Sequence, residues 1–133
     1  MKRIFAVLAA IFLFPSLGHA DTESEFYDGS IIYLNNLKTC TPYTFTYRHP
    51  FVENFTAQNA IKGQQGGKCF VTTTMPKNMQ LECQLSPDTI NLMTSEAKYR
   101  ELRKHEMSGS TSDPASTAAN RECTLLRDGK PIQ

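Results

Sequence analysis

The 133-residue chain has room for one domain, and its formal net charge of +1 gives it no general pull toward nucleic acid or acidic lipid. Its four cysteines form no C-x-x-C pair, so a thioredoxin-like redox motif is absent. Their wide spacing also lacks the two-knuckle pattern of a structural zinc site.

The first twenty residues read as a leader. Lys2 and Arg3 form a positive start, residues 4–14 are apolar, Pro15 breaks the run, and Gly18 and Ala20 occupy the −3 and −1 places of a small-x-small cleavage site. Residues 1–20 are therefore expected to be a cleavable secretory signal peptide. The apolar run is shorter than the roughly 20 residues a spanning helix needs, and no second run follows, so no membrane span is expected in the mature chain. Asp21, not a cysteine, follows the site, which argues against lipidation. Cleavage leaves 113 residues. Removing Lys2 and Arg3 leaves twelve basic against thirteen acidic residues, a net charge of −1. The expected location is periplasmic or secreted. In such an oxidising compartment Cys40, Cys69, Cys83 and Cys123 imply two disulfides.

Residues 21–40 read as a first helix, with Phe26, Ser30, Leu34 and Leu37 at three- and four-residue steps and Ile31 widening the stripe. Gly29 costs this helix about 1 kcal/mol relative to alanine. The period then changes to two. Tyr43, Phe45 and Tyr47 alternate with Thr44, Thr46 and Arg48 in a first strand, and His49-Pro50 interrupts it. Phe55, Ala57, Asn59 and Ile61 alternate in a second strand, and the Gly-Gln-rich residues 63–67 are a turn. Residues 69–75 form a third strand, Pro76, Lys77 and Asn78 turn the chain, and residues 79–85 form a fourth.

Ser86-Pro87-Asp88 opens a second helix with a serine cap, proline at the first helical position and an acid in the first turn. Ile90, Met93, Ala97 and Leu102 make its apolar stripe, and Glu96 with Arg100 is an i,i+4 pair. Residues 108–120 carry almost no large apolar side chain and read as a flexible loop. Residues 121–126 suggest a short strand before the Asp128-Gly129 turn.

The predicted fold is α+β: an N-terminal helix, a four-stranded antiparallel meander, a second helix packed on one sheet face, and a C-terminal tail, held by two disulfides. In domain terms, residues 21–107 form the α+β domain, 108–120 the loop, and 121–133 a segment tethered back to it. A short hairpin around Pro76 puts Cys69 and Cys83 on one apolar face. The expected pairs are therefore Cys69–Cys83 and Cys40–Cys123, the latter pinning the tail.

No catalytic motif is found, and no cofactor or metal ligand set is expected. There is no G-x-S-x-G elbow. His49 reads as a turn residue, and His105 as a complement to the second helix's C-terminal dipole. The cluster Lys98, Arg100, Arg103 and Lys104 is interleaved with Glu96, Glu101 and Glu106, the pattern of a solvated helix face. Asn54-Phe55-Thr56 matches a glycosylation sequon that acts only in a eukaryotic secretory pathway. Thr44, Thr46, Thr72 and Thr74 suggest a solvated sheet surface or a place for an added strand. The most suggestive binding residues are Tyr43, Phe45, Tyr47, His49 and Phe51, which are either the core face of the first strand or an aromatic interaction surface. The sequence thus points to an exported, non-enzymatic protein-interaction or accessory module with an unidentified protein partner and no nucleic acid. The alternatives are a small-ligand binder with an aromatic-lined pocket, and a small hydrolase with His49 as base.

Overall fold

The computed structural model describes residues 18–105 and 113–132. All but the last three residues of the expected signal peptide, and residues 108–112 of the expected loop, lie outside it.

Helix α1 (Gly18–Leu37) ends where Cys40 takes a left-handed φ of 51° and the Thr41 N–H reaches back to the Asn36 carbonyl at 2.9 Å. Five further strands follow the edge strand β1 (Tyr43–Arg48): β2 (Thr56–Gln65), β3 (Lys68–Met75), β4 (Met79–Leu85), β5 (Cys123–Arg127) and β6 (Lys130–Pro131). They lie side by side in sequence order, every neighbouring pair antiparallel. The meander therefore has six strands rather than four. The segment read as a tail completes the sheet, because β5 pairs along β4 from Met79–Arg127 to Cys83–Cys123.

One face of the sheet carries the core. Phe45, Ile61, Val71, Cys83 and Leu85 are buried there with Tyr33 and Leu37 of α1 and Ile90 beyond β4. The helices cover that face, as expected from the alternation of the strands. The expected second helix is broken in two. Helix α2 (Pro87–Met93) begins at the Ser86 cap as read, with Ser86 Oγ accepting from the Thr89 N–H. At Ser95 the backbone is extended (φ −69°, ψ 157°), and its side chain caps a new helix, α3 (Glu96–Arg103). Tyr99 of α3 is buried and donates its hydroxyl to Asn35 Oδ1 of α1 at 2.8 Å, fixing α3 against α1.

Part of the expected loop is ordered. Pro114–Arg121 form helix α4 behind Asp113, with proline again in the first turn. The Lys98 ammonium lies 2.5 Å from Asp113 Oδ2 and holds that carboxyl below the usual aspartate range, joining α3 to the start of α4.

The disulfide pairing differs from the expectation. The bonds are Cys40–Cys69 and Cys83–Cys123, and no cysteine is free. Cys69 and Cys83 do share the core face, but the three-residue turn sets Met75 opposite Met79. Cys69 then falls opposite Leu85, and Cys83 opposite Val71, two residues out of line. Cys83 meets Cys123 directly across β4 and β5, at a Cα separation of 4.0 Å. Cys40, at the end of α1, drops onto Cys69, and both are buried. A pair of disulfides is what a protein of an oxidising, non-cytoplasmic compartment carries. Among the described residues no helix is long and apolar enough to cross a membrane.

One polar cluster ties the C-terminal strands to the helices. Glu122, just before β5, accepts hydrogen bonds from the Ser86 N–H (2.9 Å), Ser86 Oγ (2.9 Å) and the buried Thr89 hydroxyl. Burial alone pushes the Glu122 carboxyl up. The Thr89 and Ser86 hydrogen bonds and the nearby Lys68 outweigh it and hold the group below its ordinary value. A depressed folded pKa contributes stability that is fully present above the unfolded value, near 4.3, and is lost as pH falls through the lower folded value. Glu122→Gln is therefore expected to cost about 1.5–3 kcal/mol at neutral pH. In urea unfolding the gap between variant and wild type should close on acidification; a gap that is constant from neutral to acid pH would contradict the assignment.

Candidate interaction surface

The elements that present this surface are β1, β2 and the loop between them. β1 forms because aromatic and threonine side chains alternate over a half-buried sheet position. The ladder with β2 runs from Tyr43–Ile61 to Arg48–Thr56, and one further bond, His49 N–H to the Phe55 carbonyl at 2.8 Å, closes the loop. Asn54 takes a φ of 56°, which asparagine tolerates, to bring the chain back.

The aromatic series is split by this geometry. Phe45 is buried against α1, where only a glycine fits: a Cβ on Gly29 would lie 2.2 Å from the Phe45 ring. Tyr43 and Tyr47 are half-buried on the same face and pack against the core. The Tyr47 ring stacks on Phe45 at 4.7 Å and tilts against Phe26 at 5.0 Å. Burial raises the Tyr47 phenol above its ordinary pKa against a hydrogen bond from Asn59. Burial also raises that of Tyr33 beneath it, with Tyr47 contributing. These three β1 side chains thus form the wall between α1 and the sheet, and Phe45 fills the space beside Gly29.

Beyond Tyr47 the series runs outward into the loop. His49 lies 6.4 Å from Tyr47, 6.0 Å from Phe55 and 6.1 Å from Phe51, centroid to centroid. Its Nδ1 accepts two backbone N–H groups, those of Phe51 and Val52, each at 3.1 Å. A neutral imidazole whose Nδ1 accepts carries its proton on Nε2, so the remaining nitrogen is a donor. His49 is thus a loop brace, its Nδ1 lone pair shared between two backbone donors. No cluster of three or more His, Cys, Asp or Glu positioned for a metal is found among the described residues.

The brace fixes the backbone of two residues whose side chains face water. Phe51 is 62 % exposed and Val52 38 %. Val52 was missed in the sequence because it belongs to no periodic pattern. Its signal was the adjacency of two bulky apolar residues after a proline, in a segment too short to be a strand. His105 is placed elsewhere, its ring stacked at 4.5 Å on Tyr27 of α1.

One cleft lies on β1 and β2, and another lies away from them on β3, β4 and β5. The first, of about 370 Å³, is lined by Glu25, Thr46, Tyr47, Arg48 and Thr56. The second, of about 390 Å³, is lined by Lys68, Phe70, Glu82, Gln84, Arg121 and Thr124 among others. Thr44, Ala60, Thr72, Glu82 and Thr124 follow one another across five strands, on the face opposite Phe45. No protein-family model, curated protein or solved structure matches the chain.

Proposed function

We propose that the protein is an exported, non-enzymatic interaction module that engages another extracytoplasmic protein through the tip of the β1–β2 hairpin. The observation that carries this reading is the preorganised apolar pair at that tip. Phe51 and Val52 stand adjacent and exposed while His49 Nδ1 holds both of their backbone N–H groups. A rigid aromatic anchor loses little conformational freedom on binding, which is why such residues dominate protein interfaces. The partner complements it with an apolar pocket large enough for one aromatic ring. The aromatics of β1 support this reading from behind, as the wall that fixes where the loop leaves the sheet. The leader-like residues 1–20 and the two disulfides support export.

Replacing both Phe51 and Val52 by serine is expected to abolish co-purification of the partner that the native protein retains, with the melting temperature unchanged. Replacing His49 by alanine should weaken the same interaction. Asparagine at that position should restore much of it, because its side-chain oxygen can accept the same backbone groups. Retention of the same partner by the double-serine chain would refute the reading.

A further inference from the structure

We infer that β1 is the pairing edge of a homodimer, in which two copies join their sheets through antiparallel β1 strands related by a two-fold axis at Phe45. This is a different surface from the hairpin tip and does not depend on it.

The sheet has two edges, and they are built differently. The far edge is β6, two residues long, one of them Pro131, which has no N–H to offer. Short strands and prolines are devices that keep an edge from pairing. β1 has neither. It is six residues of regular ladder, without a proline, and its one charge, Arg48, sits at its end. The outward groups can be assigned from the register. The His49 N–H bonds to the Phe55 carbonyl, its partner in the same ladder, so alternate residues Tyr43, Phe45 and Tyr47 also direct their backbone groups at β2. Thr44, Thr46 and Arg48 therefore direct theirs away from the sheet, where no other strand among the described residues pairs with them.

A two-fold antiparallel contact must be self-complementary, and this strand is. Tyr43-Thr44-Phe45-Thr46-Tyr47 reads the same in both directions. With the axis at Phe45, Thr44 of one copy faces Thr46 of the other, and Tyr43 faces Tyr47. The two threonines are residues whose N–H and C=O point outward, so each facing pair exchanges two hydrogen bonds. Threonine–threonine and aromatic–aromatic pairs are both favourable across strands. Each Arg48 falls opposite Pro42 of the other copy, so the two charges do not meet. Tyr27, Asn35 and Lys38 meet α3 and its C-terminal end on one side of α1. Ile32, roughly 60° around α1 from both Gly29 and Asn35 at about 100° per residue, is 48 % exposed.

Sedimentation equilibrium of the full mature chain, with both disulfides intact, tests the inference. The native protein is expected to be a dimer. Thr44 and Thr46 are both exposed, so charges there leave the core untouched. Thr44→Lys with Thr46→Lys sets two like-charged pairs across the axis and should raise the dimer dissociation constant about tenfold or more, with unchanged far-UV circular dichroism. Thr44→Lys with Thr46→Glu makes the same two pairs complementary and should remain dimeric. Only the register centred on Phe45 puts residue 44 opposite residue 46. A monomeric native chain, a dimer indifferent to the two lysines, or loss of the dimer in the lysine–glutamate chain would each overturn the inference.

Discussion

Gly29→Ala is expected to destabilise the protein by about 2–3 kcal/mol, although the same exchange inside an ordinary helix gains about 1 kcal/mol. The reason is the closeness of α1 to β1. The added methyl would lie 2.2 Å from Phe45 Cε1 and 2.3 Å from Cζ. The ring cannot step aside cheaply, because it is buried and Tyr47 stacks on it at 4.7 Å. Overpacking of this kind forces off-rotamer side chains or a lifted helix. For a domain of this size the loss corresponds to a drop in melting temperature of about 10 °C. Phe45→Leu in the same chain should recover part of it, giving a coupling energy between the two positions in a double-mutant cycle. A Gly29→Ala protein that melts at or above the native temperature would show that α1 does not approach β1 as closely as described.

Removing the Cys40–Cys69 bond is expected to have the largest effect of any covalent change. The bond closes a separation of 29 residues, and loop-closure entropy alone assigns it about 3.5 kcal/mol. It also fixes the end of α1 to the middle of the sheet at two buried positions. Replacing both cysteines by alanine, which leaves no buried thiol, should lower the melting temperature by on the order of 15 °C. The Cys83–Cys123 pair spans 40 residues but joins two strands already paired by the ladder. Its removal should act mainly on β5, β6 and α4, seen as lost amide protection there with slower exchange retained in β2 and β3. Peptide mapping without reduction gives the direct check: a Cys69–Cys83 linked peptide would contradict both expectations.

The contrast between these two bonds marks what sequence could and could not deliver. Alternation located the first four of the six strands, except that Gly63, Gln64 and Gln65, read as turn, extend β2, and Ser86-Pro87-Asp88 marked the start of α2 to the residue, because those signals are local. The face on which each cysteine lies is local too. Which cysteine lies in which row depends on the turn register and on a fifth strand from the far end of the chain, and no local pattern carries that. Helix α4 was hidden for a different reason. It buries Ala115 and little else, so its Ala-Ser-Thr composition has no apolar stripe to display. The apolar stripe resumes after Ser95 and so suggests a continuous helix, yet the serine side chain suits a cap better than a helix interior.

Gly29 and His49 teach the same lesson at the surface proposed for binding. From sequence, Gly29 is a defect in a helix. In the fold it is the condition for Phe45 to be buried, and therefore for β1 to carry its aromatics inward. From sequence, His49 is a turn residue with an open question of chemistry. In the fold both of its hydrogen bonds at Nδ1 go to the residues it displays. The binding series read along β1 thus divides into a wall of Tyr43, Phe45 and Tyr47 and a tip of His49 and Phe51, extended by Val52.

The most direct measurement on the interaction reading is site-specific photo-crosslinking in the exporting cell. A photoreactive phenylalanine analogue is placed at Phe51 in one chain and, as a control, at Leu92 in another. Leu92 is also an exposed apolar residue, at 42 %, but lies on α2, away from the hairpin. The expected result is one discrete adduct with an extracytoplasmic protein from position 51 and none from position 92. Equal labelling from the two positions, or none from position 51, would contradict the assignment of the hairpin tip as the contact site.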